Sequence, residues 1–263
     1  MQLDLSARHA LVCGASQGIG RAAAIELARL GADVTVLARS AEALQAVVDA
    51  LPRVREGQRH AWRVVDMLDT LALQTVAADL VAAAPAQVLI NNSGGPPGGP
   101  IHTAEPEAFI AAFRQHVLAA QVLMQAVLPG MRAAGYGRIV NVISTSVKEP
   151  IPGLGVSNTV RAAMAGWSKT LSAELAADGI TVNNVLPSYT ETDRLRWLLA
   201  TRAAREGRSE DDIAAELLSD IPARRFGRPE EVAAMIAFLC TPAAAYVNGV
   251  SIPVDGGHIR ALN

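Results

Sequence analysis

The feature that most constrains the fold is a regular alternation of short apolar segments with longer alanine-rich ones. Several short segments are apolar on consecutive residues, as is typical of strands buried on both faces of a parallel sheet. The strand-like segments are 9–14, 33–39, 62–66, 88–92, 138–144 and 181–186. Segments with helical spacing lie between them, at 20–30, 41–51, 70–84, 108–131 and 161–177. This repetition predicts an α/β fold with a doubly wound sheet flanked by helices.

No shift in composition marks a domain boundary, so we expect residues 1–263 to form a single domain. The only segment dense in glycine and proline, 91–100, follows a strand and is expected to be a loop at the carboxyl edge of the sheet. The charged segment 193–220 interrupts the alternation. Because ligands bind beyond the carboxyl ends of parallel strands, we expect it to form a lid over the active site. An ordinary surface hairpin of helices is the alternative.

Charge and composition exclude several classes of protein. A net charge of −2 without a long basic run argues against a nucleic-acid binder. Hydrophobic residues make up 51% of the chain, but no apolar stretch approaches the length of a membrane span, and the N-terminus contains an early acid and no signal-peptide core. Cys13 and Cys240 lie in apolar runs and are expected to be buried thiols. We therefore expect a cytoplasmic protein with no membrane partner, and no metal site is predicted.

A glycine-rich turn joins the first predicted strand to the first helix. It reads "CGASQGIG" and contains Gly14, Gly18 and Gly20. Glycines there let the backbone approach a pyrophosphate, and the exposed amides at the start of the helix complement its negative charge. The spacing differs from G-x-G-x-x-G, so the position between strand and helix carries the prediction of a dinucleotide site.

The end of the second predicted strand indicates which dinucleotide is bound. A carboxylate at this position favours NAD, whereas an arginine accommodates the 2′-phosphate of NADP. The segment reads "LARS", with Arg39 and no acid. NADP(H) is therefore favoured, and NAD(H) is the alternative if Arg39 is only a surface charge.

Six motifs in a fixed order cover almost the whole chain. After "CGASQGIG" come "NNSG" at 91–94, "NVIS" ending at Ser144, "GITVNNVLPS" at 179–188, "RFGRPEEVA" at 225–233 and "NGVSIPVDGG" at 248–257. Together they resemble the short-chain dehydrogenase/reductase family, in particular the classical branch that includes 3-oxoacyl-acyl-carrier-protein reductases. The resemblance implies a Rossmann-type domain with a seven-stranded parallel sheet, oxidoreductase activity on a small molecule, and assembly as a homotetramer or dimer.

The resemblance also implies cofactor contacts at the ends of the strands. Those expected around the pyrophosphate and adenosine are Gly14, Ser16, Gln17, Gly18, Ile19 and Gly20. Those expected at the adenine, the ribose and the nicotinamide are Asp66, Met67, Asn92, Ser93, Gly94, Pro187 and Thr192. The chain departs from the family at Cys13, Ser93 and Ser188, where threonine, alanine and glycine are usual.

The catalytic positions depart further. In the family, a serine polarises the carbonyl, a tyrosine thirteen residues later donates the proton, and a lysine four residues beyond binds the nicotinamide ribose and lowers the tyrosine's pKa. An asparagine on the preceding long helix supports a proton-relaying water. Ser144 matches the serine, but the other three positions hold Ser157, Arg161 and His116. A serine hydroxyl is a far weaker acid than a phenol and an arginine stays protonated, so the usual proton path is interrupted, although Arg161 can still anchor the ribose.

Three other groups could supply the proton. If the chain stays extended after Ser144, alternation directs Lys148 to the same side, where desolvation near the nicotinamide would lower the lysine's pKa. The alternative is an exposed Lys148 paired with Glu149 or an acid of the lid. His116 titrates in a useful range but lies mid-helix, where a structural role is the alternative. Tyr189 is expected to pack against cofactor or substrate rather than donate a proton.

The leading hypothesis is an NADP(H)-dependent oxidoreductase that interconverts a carbonyl and an alcohol with a non-standard catalytic set. The alternatives are a catalytically impaired dinucleotide-binding or regulatory subunit, and a non-redox reaction on the same scaffold. A buried Lys148 near the nicotinamide would favour the enzyme, and an exposed Lys148 the binding protein. The predicted lid contains apolar residues beside two arginines, which suits an apolar substrate with an anionic end, although any amphipathic helix has such a pattern; these residues are Leu195, Trp197, Leu198 and Leu199, and Arg194 and Arg196.

Overall fold

The computed structural model describes residues 1–262 and contains one parallel sheet of seven strands. The strands are β1 His9–Cys13, β2 Asp33–Ala38, β3 His60–Val64, β4 Val88–Asn91, β5 Gly137–Val142, β6 Ile180–Pro187 and β7 Ser251–Val254. Their order across the sheet is β3-β2-β1-β4-β5-β6-β7, so the strand order reverses between β1 and β4. The predicted doubly wound α/β fold is confirmed.

Helices connect successive strands and cover both faces of the sheet. They are α1 Gly18–Arg29, α2 Ala41–Ala50, α3 Thr70–Ala83, α4 Pro106–Phe113, α5 Ala119–Ala134, α6 Gly155–Leu175, α7 Asp193–Glu206, α8 Glu210–Asp220 and α9 Pro229–Leu239. A single π-helical turn, Arg114–Leu118, joins α4 to α5. Helices α7 and α8 occupy the segment predicted as a lid.

Alternate residues of each central strand enter different cores. In β1, Ala10 and Val12 pack with α1, α2 and α9, whereas Leu11 and Cys13 pack with α3, α5 and α6. All four side chains are buried because a parallel sheet with helices on both faces leaves neither face to solvent. This arrangement explains the continuous apolar runs in the sequence and leaves the carboxyl edge of the sheet as the place for a site.

Two element starts and one whole strand show the main differences from the sequence expectations. Strand β3 begins two residues before the predicted segment 62–66, and α6 begins at Gly155 instead of residue 161. Strand β7 was expected only from the family resemblance. It is a half-buried edge strand that contains Pro253, and such a strand lacks both the apolar run and the alternation that identify strands in sequence.

A row of polar side chains crosses the sheet from β4 to β7. Asn91, Asn141, Asn184 and Ser251 are paired in register on adjacent strands. Asn91 Nδ2 donates to Asn141 Oδ1 at 2.8 Å, and Asn141 Nδ2 donates to Asn184 Oδ1 at 3.0 Å. Asn184 Nδ2 then donates to Ser251 Oγ at 3.0 Å. Because unpaired buried amides are costly, this row fixes the register of four strands.

One helical run has the length and hydropathy of a membrane span. Pro106–Ala134 is 29 residues long, and its most apolar window has a mean hydropathy of 1.3 and is 39% buried. The run packs through α5 against α3 and through α4 against α6. Helices that cover a sheet in a water-exposed domain meet the same criteria, so packing within this domain accounts for the run.

Candidate active site

A cleft of about 570 Å³ opens at the carboxyl edge of the sheet, where the strand order reverses. It brings together most of the residues predicted from the sequence. Those that line it are Gly14, Ser16, Gln17, Gly18, Ile19, Arg39, Asp66, Met67, Asn92, Ser93, Gly94, Ser144, Ser157, Arg161, Pro187 and Thr192. Three predicted residues do not line it: Gly20 packs beneath the turn, His116 lies behind the cleft, and Lys148 is exposed elsewhere.

The glycine turn after β1 is closely packed. Gly14 has a φ of +58°, and a Cβ there would lie 2.6 Å from the carbonyl oxygen of Asn92. A Cβ on Gly20 would lie 2.3 Å from the carbonyl oxygen of Gly14. The Asn92 side chain holds the turn by donating to the Gly14 carbonyl at 3.1 Å. Only glycine fits at these two positions, which leaves the backbone open to a ligand.

The donors around this turn fit a dinucleotide phosphate. Helix α1 begins at Gly18 with no side-chain cap from Gln17 and no acid in its first turn. Its first amides are therefore available to an anion at the positive end of the helix dipole. Arg39 is exposed at the end of β2 and lines the same cleft. The residues present thus match a pyrophosphate with an additional phosphate near Arg39.

Ser144 lies two residues beyond β5 and lines the cleft. Its Oγ accepts a hydrogen bond from the backbone N–H of Ser146 at 3.1 Å and so caps the 3₁₀ turn Thr145–Val147. The same hydroxyl can donate its proton to a ligand oxygen in the cleft.

Lys148 is not brought to Ser144. The extended chain assumed from the sequence is wrong, because the 3₁₀ turn Thr145–Val147 separates the two residues. Lys148 is exposed and does not line the cleft, whereas its neighbour Glu149 accepts backbone N–H bonds from Arg260 and Ala261. The predicted position of Lys148, desolvated beside Ser144, is therefore not formed.

Ser157 and Arg161 lie one turn apart on α6, so both face the cleft. Both are buried. Arg161 Nη1 donates to the carbonyl oxygen of Val142 at 2.8 Å, while its Nε has no partner. Burial, with a smaller contribution from the charge of Arg194, lowers the pKa of Arg161 to about 10. The guanidinium therefore remains charged at neutral pH and can bind a ligand but cannot relay a proton.

His116 projects from the π-helical turn and lies behind the cleft beside Arg161. Its Nδ1 shares a hydrogen bond of 2.7 Å with Ser93 Oγ, and its Nε2 has no partner. Burial, and then the charge of Arg161, lower the pKa of His116 to about 2. The ring is neutral at physiological pH, which argues against the predicted acid–base role and favours the structural alternative, in which the ring holds Ser93.

The neutral state of His116 predicts an acid-sensitive fold. Between the folded pKa of about 2 and the ordinary value of 6.5, the unfolded chain binds a proton that the folded chain does not. Stability therefore falls as the pH drops below 6.5, by about 2 kcal/mol at pH 5. We expect His116→Gln to remove this part of the loss in urea unfolding followed by tryptophan fluorescence. His102→Gln, at an exposed histidine, is the matched control, and an equal pH response in all three proteins would contradict the prediction.

Sequence reasoning missed a second hydroxyl–imidazole pair. Ser188 Oγ, in the cleft lining, lies 2.7 Å from His258 Nδ1. The ring of Tyr189 is 5.4 Å from that of His258 and 6.3 Å from that of Phe226, and burial raises the pKa of its phenol. Ser188 was noted only as a departure from glycine. Nothing in the sequence links it to a histidine 70 residues away.

Tyr189 is the only tyrosine that reaches the cleft within residues 1–262. Tyr136 is buried and donates to the carbonyl oxygen of Cys240, and Tyr246 is fully exposed. In the same part of the chain, no three histidine, cysteine, aspartate or glutamate side chains group closely enough to hold a metal ion. Beyond β5 the cleft therefore offers hydroxyls, an amide and the guanidinium groups of Arg161 and Arg194 as its polar groups.

The segment predicted as a lid folds as the helical pair α7–α8. Ala203, Ile213 and Leu217 form its small buried core. Arg202 and Arg208 both form salt bridges with Glu216 across the pair. One edge faces the cleft, where Arg194, Leu195 and Leu198 join the lining. This placement suits a cover for the site.

Comparison with known proteins agrees with the fold and the cleft. Residues 14–258 match the family described as Enoyl-(Acyl carrier protein) reductase. The chain is 33% identical to the 3-oxoacyl-[acyl-carrier-protein] reductase FabG of Pseudomonas aeruginosa, over 97% of this chain and 98% of that protein. It is 30% identical to the NADPH-dependent reductase BacG of Bacillus subtilis, over 98% and 100% respectively.

A solved structure with the same fold is L-sorbose reductase from Gluconobacter frateurii, complexed with NADPH and L-sorbose. Its TM-score is 0.92 and its sequence identity 29%, with 100% of both chains covered. From the sheet order, the match over 245 residues (14 through 258) and the full-length similarity to these reductases, the chain belongs to the short-chain dehydrogenase/reductase family.

Proposed function

We propose that this protein is an NADP(H)-dependent oxidoreductase that interconverts a carbonyl and an alcohol on a small molecule. The observation that carries the proposal is one cleft that contains the glycine turn, Arg39 and Ser144 together. BacG is named an NADPH-dependent reductase, and the sorbose reductase was solved with NADPH, which supports the choice of cofactor.

The cofactor would be held along the carboxyl edge of the sheet. The amides of Gly18 and Ile19 at the start of α1 face the pyrophosphate, and Arg39 faces the 2′-phosphate. Arg161, buried and charged, would take the place of a lysine and bind the nicotinamide ribose through only part of its remaining donors. When bound, NADPH supplies the hydride, and the chain supplies position and proton.

Ser144 Oγ donates a hydrogen bond to the substrate carbonyl oxygen and stabilises the negative charge that develops there. Ser157, one turn before Arg161 on α6, helps to orient the same carbonyl oxygen. The proton is supplied by the Ser188–His258 pair: Ser188 Oγ gives its proton to the developing alkoxide and takes one in turn from His258 Nδ1, so the imidazole, and not the weakly acidic hydroxyl, is the net donor. Lys148 has no part in this scheme.

Arg39 is expected to set the preference between the two dinucleotides. Arg39→Ala removes a charged donor facing the 2′-phosphate, so we expect kcat/KM for NADPH to fall about tenfold to a hundredfold while the value for NADH stays unchanged. Steady-state rates with both cofactors measure the change. Arg63→Ala, an exposed arginine on the neighbouring strand, is the control. A parallel loss with NADPH and NADH would show that Arg39 does not read the phosphate.

The function is tested by NADPH oxidation across a panel of ketones, aldehydes and β-keto thioesters, together with NADPH binding by fluorescence titration. Turnover that depends on Ser144 supports the proposal. Tight NADPH binding without turnover on any compound contradicts it. That outcome would support a catalytically impaired dinucleotide-binding protein, the candidate that the exposed position of Lys148 favours.

We also propose that the chain assembles with copies of itself. Ile110 and Phe113 on α4, and Leu118 at the end of the π-helical turn, are 55%, 41% and 39% exposed. Large apolar side chains exposed together on one helical run support a contact surface, because isolated domains rarely leave such groups in water.

A further inference from the structure

Two arginines on the substrate side of the cleft have no acidic partner. Arg161 is buried and Arg194 half-buried. Across residues 1–262, no carboxylate oxygen lies within 4.0 Å of either guanidinium. The other arginines of the same helical pair differ, since Arg196, Arg202 and Arg208 all form salt bridges. The two cations in the cleft are therefore left with their charge uncompensated.

Neutral groups hold both guanidinium groups in place. Arg161 Nη1 donates to the Val142 carbonyl at 2.8 Å, and Arg194 Nη2 donates to the Pro96 carbonyl at 2.9 Å. The Arg194 guanidinium also lies over the Trp197 ring, 4.3 Å from its centroid. These contacts orient the side chains but do not neutralise them. Burial lowers the pKa of both arginines, which reflects the cost of removing each charge from water, and the charge of Arg194 lowers the pKa of Arg161 further.

The surroundings of the pair match a ligand with one charged and one apolar part. Asp66, at the adenine end, is the one acidic residue among those lining the cleft. The substrate side is lined by Ile151, Leu154, Leu195 and Leu198. An anion placed there would gain charge-assisted hydrogen bonds from both guanidinium groups and remove their mutual repulsion. The remaining carbon chain would contact the apolar wall.

We propose that the substrate is an anionic carbonyl compound whose carboxylate or phosphate lies between Arg161 and Arg194. The inference rests on the reductase function proposed above and specifies its substrate class. Arg194 belongs to α7, so the bound anion links α7–α8 to α6 and holds the helical pair over the cleft. A guanidinium binds carboxylate and phosphate through the same donors, and paired substrates distinguish the two sources.

The test pairs each anionic substrate with a neutral analogue that has the same reacting carbonyl, with NADPH as the reductant. Acetoacetate is compared with methyl acetoacetate, 4-oxopentanoate with its methyl ester, and dihydroxyacetone phosphate with dihydroxyacetone. We expect the anionic member of at least one pair to have the higher kcat/KM, by about tenfold to a hundredfold. The pair that shows the preference identifies carboxylate or phosphate. Neutral members that equal or exceed the anions in every pair would overturn the proposal.

Variants of Arg194 assign the preference to this site. Arg194→Ala should raise KM for the anion about tenfold or more with little effect on its neutral analogue, and Arg194→Lys should recover part of the loss. Arg196→Ala, which removes an exposed arginine from the same helix, is the matched control. NADPH affinity should be unchanged in Arg194→Ala. A loss of NADPH affinity instead would assign Arg194 to the cofactor and overturn the proposal.

Calorimetry separates failure of this inference from failure of the proposed function. If no compound is turned over, acetoacetate, 4-oxopentanoate and dihydroxyacetone phosphate are titrated into the NADP⁺-bound protein. Binding that Arg194→Ala abolishes would retain the anion site while the reductase assignment fails. Turnover of neutral carbonyls without anion binding would retain the reductase and reject the anion site.

Discussion

Replacing Ser144 with alanine is expected to lower kcat by about 10²–10³, the usual cost of losing one donor to a developing oxyanion. The Ser144 hydroxyl lines the cleft and already accepts from the Ser146 backbone, so its proton is free for a substrate oxygen. Steady-state kinetics measure the loss, and fluorescence titration should give an unchanged Kd for NADPH, because the side chain acts on substrate only.

Ser146→Ala is the matched control for this prediction. Ser146 is two residues away and buried, does not line the cleft, and has no partner for its hydroxyl. Its loss should leave kcat within about twofold, since surface or unpaired groups contribute little when removed. Equal losses in both variants would mean that the 3₁₀ turn, and not the Ser144 hydroxyl, is what the reaction needs.

Gly20→Ala is expected to raise the Kd for NADPH at least about a hundredfold and to lower the free energy of unfolding by about 1–3 kcal/mol. The new Cβ would lie 2.3 Å from the Gly14 carbonyl oxygen and 2.8 Å from Asn92 Nδ2. Neither is the end of a flexible side chain free to move away, so the turn must shift. The α1 amides proposed to bind the pyrophosphate would shift with it.

Gly166→Ala is the control for the same chemical change. Gly166 lies within α6, and a Cβ there meets nothing within 4 Å. A helical glycine in open space gains about 0.5–1 kcal/mol on replacement by alanine, so this variant should be at least as stable as the parent and bind NADPH normally. If Gly20→Ala behaves in the same way, the close approach seen at the turn does not govern cofactor binding.

The sequence predicts the frame of the site well because strand ends and glycine turns are local features. Gly14, Arg39, Asn92 and Ser144 each follow an apolar strand, and parallel strands bring such positions to one edge. Burial is not local. The neutral state of His116 depends on a π-helical turn and on packing against Arg161. Neither can be predicted from the residues next to His116 in the sequence.

Lys148 and His258 are two further residues whose positions in the fold could not be predicted from the sequence. The Ser146 backbone N–H donates to the Ser144 hydroxyl, and the 3₁₀ turn that this bond caps takes the chain off an extended path. The segment "STSVKEP" does not predict this turn. His258 reaches Ser188 only because β7 lies beside β6 in the folded sheet. The sequence assigns Arg194 and Arg196 alike to an anionic substrate end, and only the lack of a carboxylate partner in space distinguishes Arg194 from Arg196.

The row of polar side chains from Asn91 to Ser251 restricts which substitutions this sheet can accept during evolution. Each inner side chain of the row is hydrogen-bonded to the side chains on both sides of it. Replacing one therefore leaves a buried polar group without a partner, which lowers the free energy of unfolding by about 1–3 kcal/mol. Viable changes must come in compensating pairs, which are rare in random mutation. The row ends at Asn91, directly before the asparagine that holds the glycine turn. Substitutions at the centre of the sheet are therefore restricted. Helices α7–α8 contribute no member to the row, so their sequence can change without this restriction and adapt the cleft to other substrates.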